Sequence, residues 1–139
     1  MKRLIPHQRD AYAYARDRDN AAFFMEPRTG KTLPSLRWAQ RKAEDGMVLV
    51  VAPVSVMRNW QRELKDDGIH AELLEGSSET KLDTLLCTGH DWYIVNPEGV
   101  LHQPLIAAAP WTVVLVDEST CIRNPRSKPQ KLFRKTFQH

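Results

Sequence analysis

Cysteine is scarce in this chain of 139 residues, with Cys87 and Cys121 alone. Two thiols cannot build the disulfide framework of a small secreted domain, and reduced thiols in a cytosolic protein are the simpler expectation. No apolar stretch follows the basic opening MKRLIPHQRD, so no secretory signal is expected. The longest apolar-rich run, 47–57, is interrupted by Pro53 and Ser55 and is too short to cross a bilayer, which argues against a membrane partner. Internal repeats and low-complexity stretches are lacking. Acidic residues are lacking after Glu118, where Arg123, Arg126, Lys128, Lys131, Arg134 and Lys135 follow. The chain is therefore divided into a part of net charge −3 and a tail of +6. Such asymmetry suits either a nucleic-acid contact or a solvated helix face that a partner covers. What is present is ordinary: 42% apolar and 27% charged residues exclude wholesale disorder and fibrous repeats. The length suits one domain.

Apolar bursts alternate with amphipathic segments. Ala21–Met25 reads as a short buried strand. Residues 31–44 read as a helix with Leu33, Leu36, Ala39 and Ala43 on one stripe, Pro34 tolerated in the first turn and Gly46 beyond the end. Residues 47–52 (MVLVVA) form the unbroken apolar run of a parallel strand covered on both faces. A helix is predicted over 56–65, a strand over 70–74, and a helix over 79–87 with Leu82, Leu85 and Leu86 inward. Further strands are predicted over 92–95 and 112–116. This alternation implies an α/β domain with a mostly parallel sheet, in which ligands collect beyond the carboxyl ends of the strands.

Two places carry polar residues suited to chemistry there. The segment Met25-Glu26-Pro27-Arg28-Thr29-Gly30-Lys31-Thr32 follows a strand and opens a helix. Backbone N–H groups of such a loop point at phosphate oxygens, Lys31 can reach the β- and γ-phosphates of a nucleotide, and the Thr32 hydroxyl can ligate Mg²⁺. The strict phosphate-loop pattern wants glycine where Met25 stands. The bland alternative is a helix start whose lysine faces solvent. The second place is Asp117-Glu118, at the carboxyl end of Thr112–Val116 (TVVLV). There Asp117 would hold the hydrated metal, and Glu118 would orient or deprotonate the water that attacks the γ-phosphate. A nucleotide site needs both parts, on strands that could be neighbours.

The order of these segments resembles the first RecA-like lobe of superfamily II helicase-like ATPases, in particular Swi/Snf-type DNA translocases. Leu4-Ile5-Pro6-His7-Gln8 resembles the amino-terminal segment whose glutamine recognises adenine. Residues 26–32 resemble the phosphate loop Glu-Met-Gly-Leu-Gly-Lys-Thr, which also lacks the early glycine. The run LVVAPVSVMRNWQREL, 49–64, matches the next motif most specifically: a strand, then Pro-x-Ser, then Asn-Trp and a later Glu. WYIVNPEGV, 92–100, resembles a later strand-plus-turn motif, and Asp117-Glu118-Ser119-Thr120 resembles the Asp-Glu-Ser/Ala-His box. Beyond that box, Ile122-Arg123-Asn124 and Ser127-Lys128 match the family's Ile-Lys-Asn and Ser-Lys.

The resemblance implies a three-layer RecA-like P-loop NTPase domain over 1–139, truncated after the Asp-Glu box. The catalytic set would be Lys31, Asp117 and Glu118. The nucleotide-binding set would be Gln8, Arg28, Thr29, Gly30, Lys31 and Thr32, with Thr32 and Asp117 on Mg²⁺. Pro53, Ser55, Arg58 and Asn59 correspond to the lobe's contact with DNA backbone, although Ser55 could equally be a helix N-cap. Arg28 replaces a loop glycine, and its side chain lies either over the phosphates or in water. Thr120 replaces the histidine that couples the box to the next motif. With no segment after His139 and no second lobe to bring arginine fingers, ATP binding with little hydrolysis is expected. The partners implied are double-stranded DNA, engaged through a two-lobe assembly, and a second RecA-like lobe or another protein. The short segments between motifs suggest the cytoplasm of a bacterial or phage-infected cell. The competing expectation is a non-enzymatic module or decoy that docks a protein or DNA. Trp38, Trp60, Trp92 and Trp111 read as core or sheet-edge residues. His7, His70, His90, His102 and His139 show no metal-ligand spacing along the chain.

Overall fold

The computed structural model describes residues 2–19 and 30–117. The expected strand at Ala21–Met25, the loop residues Arg28 and Thr29, Glu118, Cys121 and the basic tail lie outside them. Four strands are described: β1 (Met47–Val51), β2 (Ala71–Leu73), β3 (Trp92–Val95) and β4 (Trp111–Val116). Six helices accompany them: α1 (Pro6–Ala15), α2 (Thr32–Ala43), α3 (Val54–Asp66), α4 (Ser78–Thr88), α5 (Pro97–His102) and α6 (Pro104–Ala107). The strands pair in the order β2-β3-β1-β4, and each pairing is parallel.

The unbroken apolar runs are explained by two separate cores. Val48, Val50 and Ala52 face one side of β1, where they meet Leu36, Ala39 and Ala43 of α2 and Met57, Trp60 and Leu64 of α3. Leu49 and Val51 face the other side, where they meet Leu85 of α4, Val100 of α5 and Ile106 of α6. A strand with helices on both faces has no solvent side, so period-two alternation vanishes from it. This is the three-layer arrangement expected.

Most predicted elements sit within two residues of the observed ones. The differences have local causes. Helix α3 starts at Val54 because Pro53, with φ −54° and ψ 146°, is its N-cap. Ser55 therefore lies inside the first turn, and the expected Ser55 cap is corrected. In α4, Leu85 is buried but Leu86 is 71% exposed, so only part of the expected inward face is used. The short helices α5 and α6 escaped prediction because each is opened by a proline, Pro97 and Pro104, in a stretch too short for a periodic stripe. A buried polar cluster ties the amino terminus to the helices. Asp67, at the end of α3, receives two bonds from Arg37 of α2 and one from the Lys2 backbone N–H at 3.0 Å. The Arg37 guanidinium holds the Asp67 carboxyl below its ordinary value of 3.8, against the opposing effect of burial.

Candidate functional site at the carboxyl ends of the strands

Both candidate segments fall at one end of the sheet. Helix α2 ends at Ala43 and returns through Gly46 to β1. Gly46 passes so close to β4 that an added Cβ would run into the Thr112 side chain. The carboxyl end of α2 is thus fixed beside the amino ends of β1 and β4. From there α2 runs back along both strands, packing Leu36, Ala39 and Ala43 on Val48, Val50, Val113 and Leu115. Twelve helical residues span about 18 Å and six strand residues about 20 Å, so α2 begins where β4 ends. Lys31 and Thr32 therefore lie on the same side of the molecule as Asp117.

The loop entering α2 is held by a clasp. Gly30 has φ +74°, in the left-handed region that favours glycine. Its carbonyl accepts a bond from Gln8 Nε2 at 3.0 Å, while Gln8 Oε1 accepts from the Ile5 N–H at 3.1 Å. A Cβ on Gly30 would stand 2.5 Å from Gln8 Nε2. Gln8 is 8% exposed, so this polar group of α1 is buried against the loop and hydrogen-bonded there. Lys31 is the N-cap of α2, and its carbonyl accepts the Ser35 N–H and hydroxyl at 3.3 and 2.8 Å. Helical geometry leaves the first N–H groups of α2 without intrahelical acceptors, the general condition for an anion site. Pro34 removes one donor that would have been an orphan anyway.

Asp117 follows β4, its N–H bonded to the Val51 carbonyl at 2.8 Å. Its Oδ2 accepts a bond from Trp60 Nε1 at 2.7 Å. Trp60 is 4% exposed and packs in the core, as its spacing suggested, yet its one polar atom orients the carboxylate. That second role has no signature in a sequence, because residues 60 and 117 meet only through the β1–β4 pairing. Pro53, Ser55, Arg58 and Asn59 lie on the first turns of α3 just beyond β1. Ser55, Arg58 and Asn59 are exposed, and Arg58 Nη2 pairs with Glu75 Oε1 at 3.2 Å.

The chemistry of the described residues 30–32 and of Asp117 fits Mg-ATP. A left-handed glycine, a helix N-terminus, a lysine and a threonine lie toward the same end of the sheet as a carboxylate held by Trp60. These are hard oxygen donors and cationic groups of the kind that hold phosphates and Mg²⁺. Among the described residues, no helix is long and apolar enough to cross a membrane.

No family model matches the chain. It is 25% identical over 136 residues to a SWI/SNF-related matrix-associated actin-dependent regulator of chromatin subfamily A-like protein 1 homolog of Caenorhabditis elegans, covering 95% of this chain and 20% of that protein. It is also 25% identical over 114 residues to a CHD3-type chromatin-remodeling factor of Arabidopsis thaliana, covering 71% of this chain and 9% of the relative. Its fold matches the Sulfolobus solfataricus SWI2/SNF2 ATPase core solved in complex with double-stranded DNA, with TM-score 0.76 and 20% identity, over 96% of this chain and 30% of that one. The chain thus spans less than a third of each of these three proteins. The expected resemblance to Swi/Snf-type helicase-like ATPases and the RecA-like α/β fold are both borne out.

Proposed function

We propose that this Swi/Snf-type, RecA-like lobe binds Mg-ATP at the carboxyl ends of its strands and belongs to a DNA-dependent ATPase. The observation that carries the reading is the shared placement of two elements. The Gly30-Lys31-Thr32 helix start and the Asp117 carboxylate, oriented by Trp60, occupy one end of one parallel sheet. Gly30 and the α2 N-terminus, with Arg28 and Thr29, cradle the phosphates, and Lys31 neutralises the β- and γ-oxygens. Gln8 faces the adenine side while it holds the loop. Thr32 and Asp117 supply the oxygens that hold Mg²⁺, which, when bound, neutralises charge on the phosphates. Glu118 positions the attacking water and accepts its proton. The exposed first turns of α3 offer Pro53, Ser55, Arg58 and Asn59 to the backbone of double-stranded DNA. A second RecA-like lobe completes both the DNA track and the charge stabilisation, so this lobe turns over slowly alone. The setting is the cytoplasm of a bacterial or phage-infected cell.

Thermal unfolding with millimolar Mg-ATP tests the reading. Ligand at about 100 times its dissociation constant stabilises the folded state by about 2.7 kcal/mol, a rise of several degrees for a domain of this size. Lys31→Ala is expected to abolish the rise. An unchanged melting temperature for the parent chain overturns nucleotide binding and favours a docking module.

A further inference from the structure

We propose that His70, Glu72 and His90 form a transition-metal site, best suited to Zn²⁺, at the amino ends of β2 and β3. The three residues lie at the opposite end and opposite edge of the sheet from Asp117, so the proposal stands apart from the nucleotide reading. One ligand atom from each lies within 4.8 Å of the others. Glu72 Oε1 is 3.3 Å from His70 Nε2 and 3.4 Å from His90 Nε2. Four-coordinate zinc with bonds of about 2.0–2.1 Å separates its ligand atoms by about 3.3 Å along each tetrahedral edge. Two edges of that tetrahedron are therefore already in place. The imidazole rings lie 4.4 Å apart, tilted at 40°, beside the shared carboxylate.

The backbone beneath the cluster is fixed from several sides. His70 and Glu72 are two residues apart on an extended segment and so share a face. The intervening Ala71 has its carbonyl bound by Gln61 Nε2 of α3 at 3.0 Å. The β2–β3 register pairs Ala71 with Trp92 and Glu72 with Tyr93, which brings the residues preceding β3 alongside. His90 follows Gly89, which closes α4 in the left-handed conformation with φ +65°. Its N–H is bonded to the hydroxyl of buried Tyr93 at 3.0 Å, and that hydroxyl also meets Thr88 Oγ1 at 3.2 Å. The next carbonyl, of Asp91, accepts the Val48 N–H at 2.7 Å. Two imidazoles and one carboxylate are a zinc donor set, and side-chain exposures of 68% for His70, 33% for His90 and 31% for Glu72 leave the fourth position to water. A bound ion clips the edge strand β2 to the turn before β3.

The test uses the full chain, freed of metal by a chelator, titrated with Zn²⁺ against a chromophoric competitor and separately with Co²⁺. One Zn²⁺ per chain is expected, and a visible Co²⁺ absorption of four-coordinate intensity. His70→Ala, His90→Ala and Glu72→Gln should each weaken Zn²⁺ binding at least about tenfold, the loss typical even of outer-shell changes. His102→Ala and Lys31→Ala should leave it unchanged. Circular dichroism establishes that the variants are folded, and Glu72→Gln, which keeps the shape of the side chain, decides if a histidine variant is not. Absence of stoichiometric Zn²⁺ binding at micromolar concentration overturns the proposal, as does affinity unchanged by Glu72→Gln and by the folded histidine variants.

Discussion

The two ends of this parallel sheet bring chemistry together by different means. At the carboxyl ends, the candidate groups come from short contiguous motifs, each placed where a strand passes into a helix or a helix begins. Gly30, Lys31 and Thr32 are consecutive, and Asp117 directly follows β4. At the amino ends, His70, Glu72 and His90 come from two strand entries separated by α4, and only the β2–β3 pairing gathers them. The first kind of site is written locally and announces itself as a motif. The second is written in register, and no window along the chain contains it. The carboxyl end also has a feature of the second kind, since Trp60 reaches Asp117 across the sheet.

Substitutions can break this comparison or sharpen it. The largest effect is expected from Arg37→Ala, which lies between the two ends. It leaves the Asp67 side chain, which has 0% exposure, without its cation. The carboxylate keeps only the Lys2 N–H, and loss of the charged partner from this part-buried pair costs about 3 kcal/mol, so chemical denaturation should show both ends weakened together. The same pair predicts an acid dependence. Arg37 lowers the Asp67 value in the folded state, so the stabilisation is complete above the ordinary 3.8 and is lost as pH falls through the folded value. Denaturation midpoints between neutral pH and pH 3 should fall more steeply for the parent than for Asp67→Asn.

Trp60→Phe comes next, at about 2 kcal/mol for a charge-assisted bond to a part-buried carboxylate. It should reduce Mg-ATP-induced stabilisation and leave Zn²⁺ affinity untouched; equal damage to both would show that the two ends are not independent. Gly30→Ala forces a side chain into the left-handed region and against Gln8, costing about 1–3 kcal/mol. Its loss of Mg-ATP response should exceed its loss of thermal stability. The smallest stability effect belongs to Arg58→Ala, under about 1 kcal/mol, because its partner Glu75 is exposed. Its readout is DNA: binding of duplex should weaken alike across sequences, with the salt slope reduced by about 1.

Much of the architecture was legible beforehand. The run MVLVVA read as a strand buried on both faces, and the stripe of Leu33, Leu36, Ala39 and Ala43 read as one face of a helix, and both are found. Strand β3 begins and ends as expected. Helix starts were less legible, since Pro53 supplies an N-cap geometry that the apolar pattern does not mark. Leu86 was misassigned because spacing alone cannot tell how wide a neighbour the helix meets; Leu85 is buried and Leu86 is exposed. The five histidines offered no metal spacing, and that expectation does not extend to space, where His70 and His90 touch the same carboxylate oxygen.

The amino-acid order by itself determined the alternation of strands and helices and the contiguous Gly-Lys-Thr and Asp-Glu motifs, because those depend on backbone preferences and side-chain periodicity over a few residues. Tertiary structure alone decided that Gln8 clasps Gly30, that Trp60 orients Asp117, and that His70, Glu72 and His90 share one corner. Each of those groupings is joined by strand register or helix packing between segments far apart in the chain, and short-range preferences carry no record of such distances.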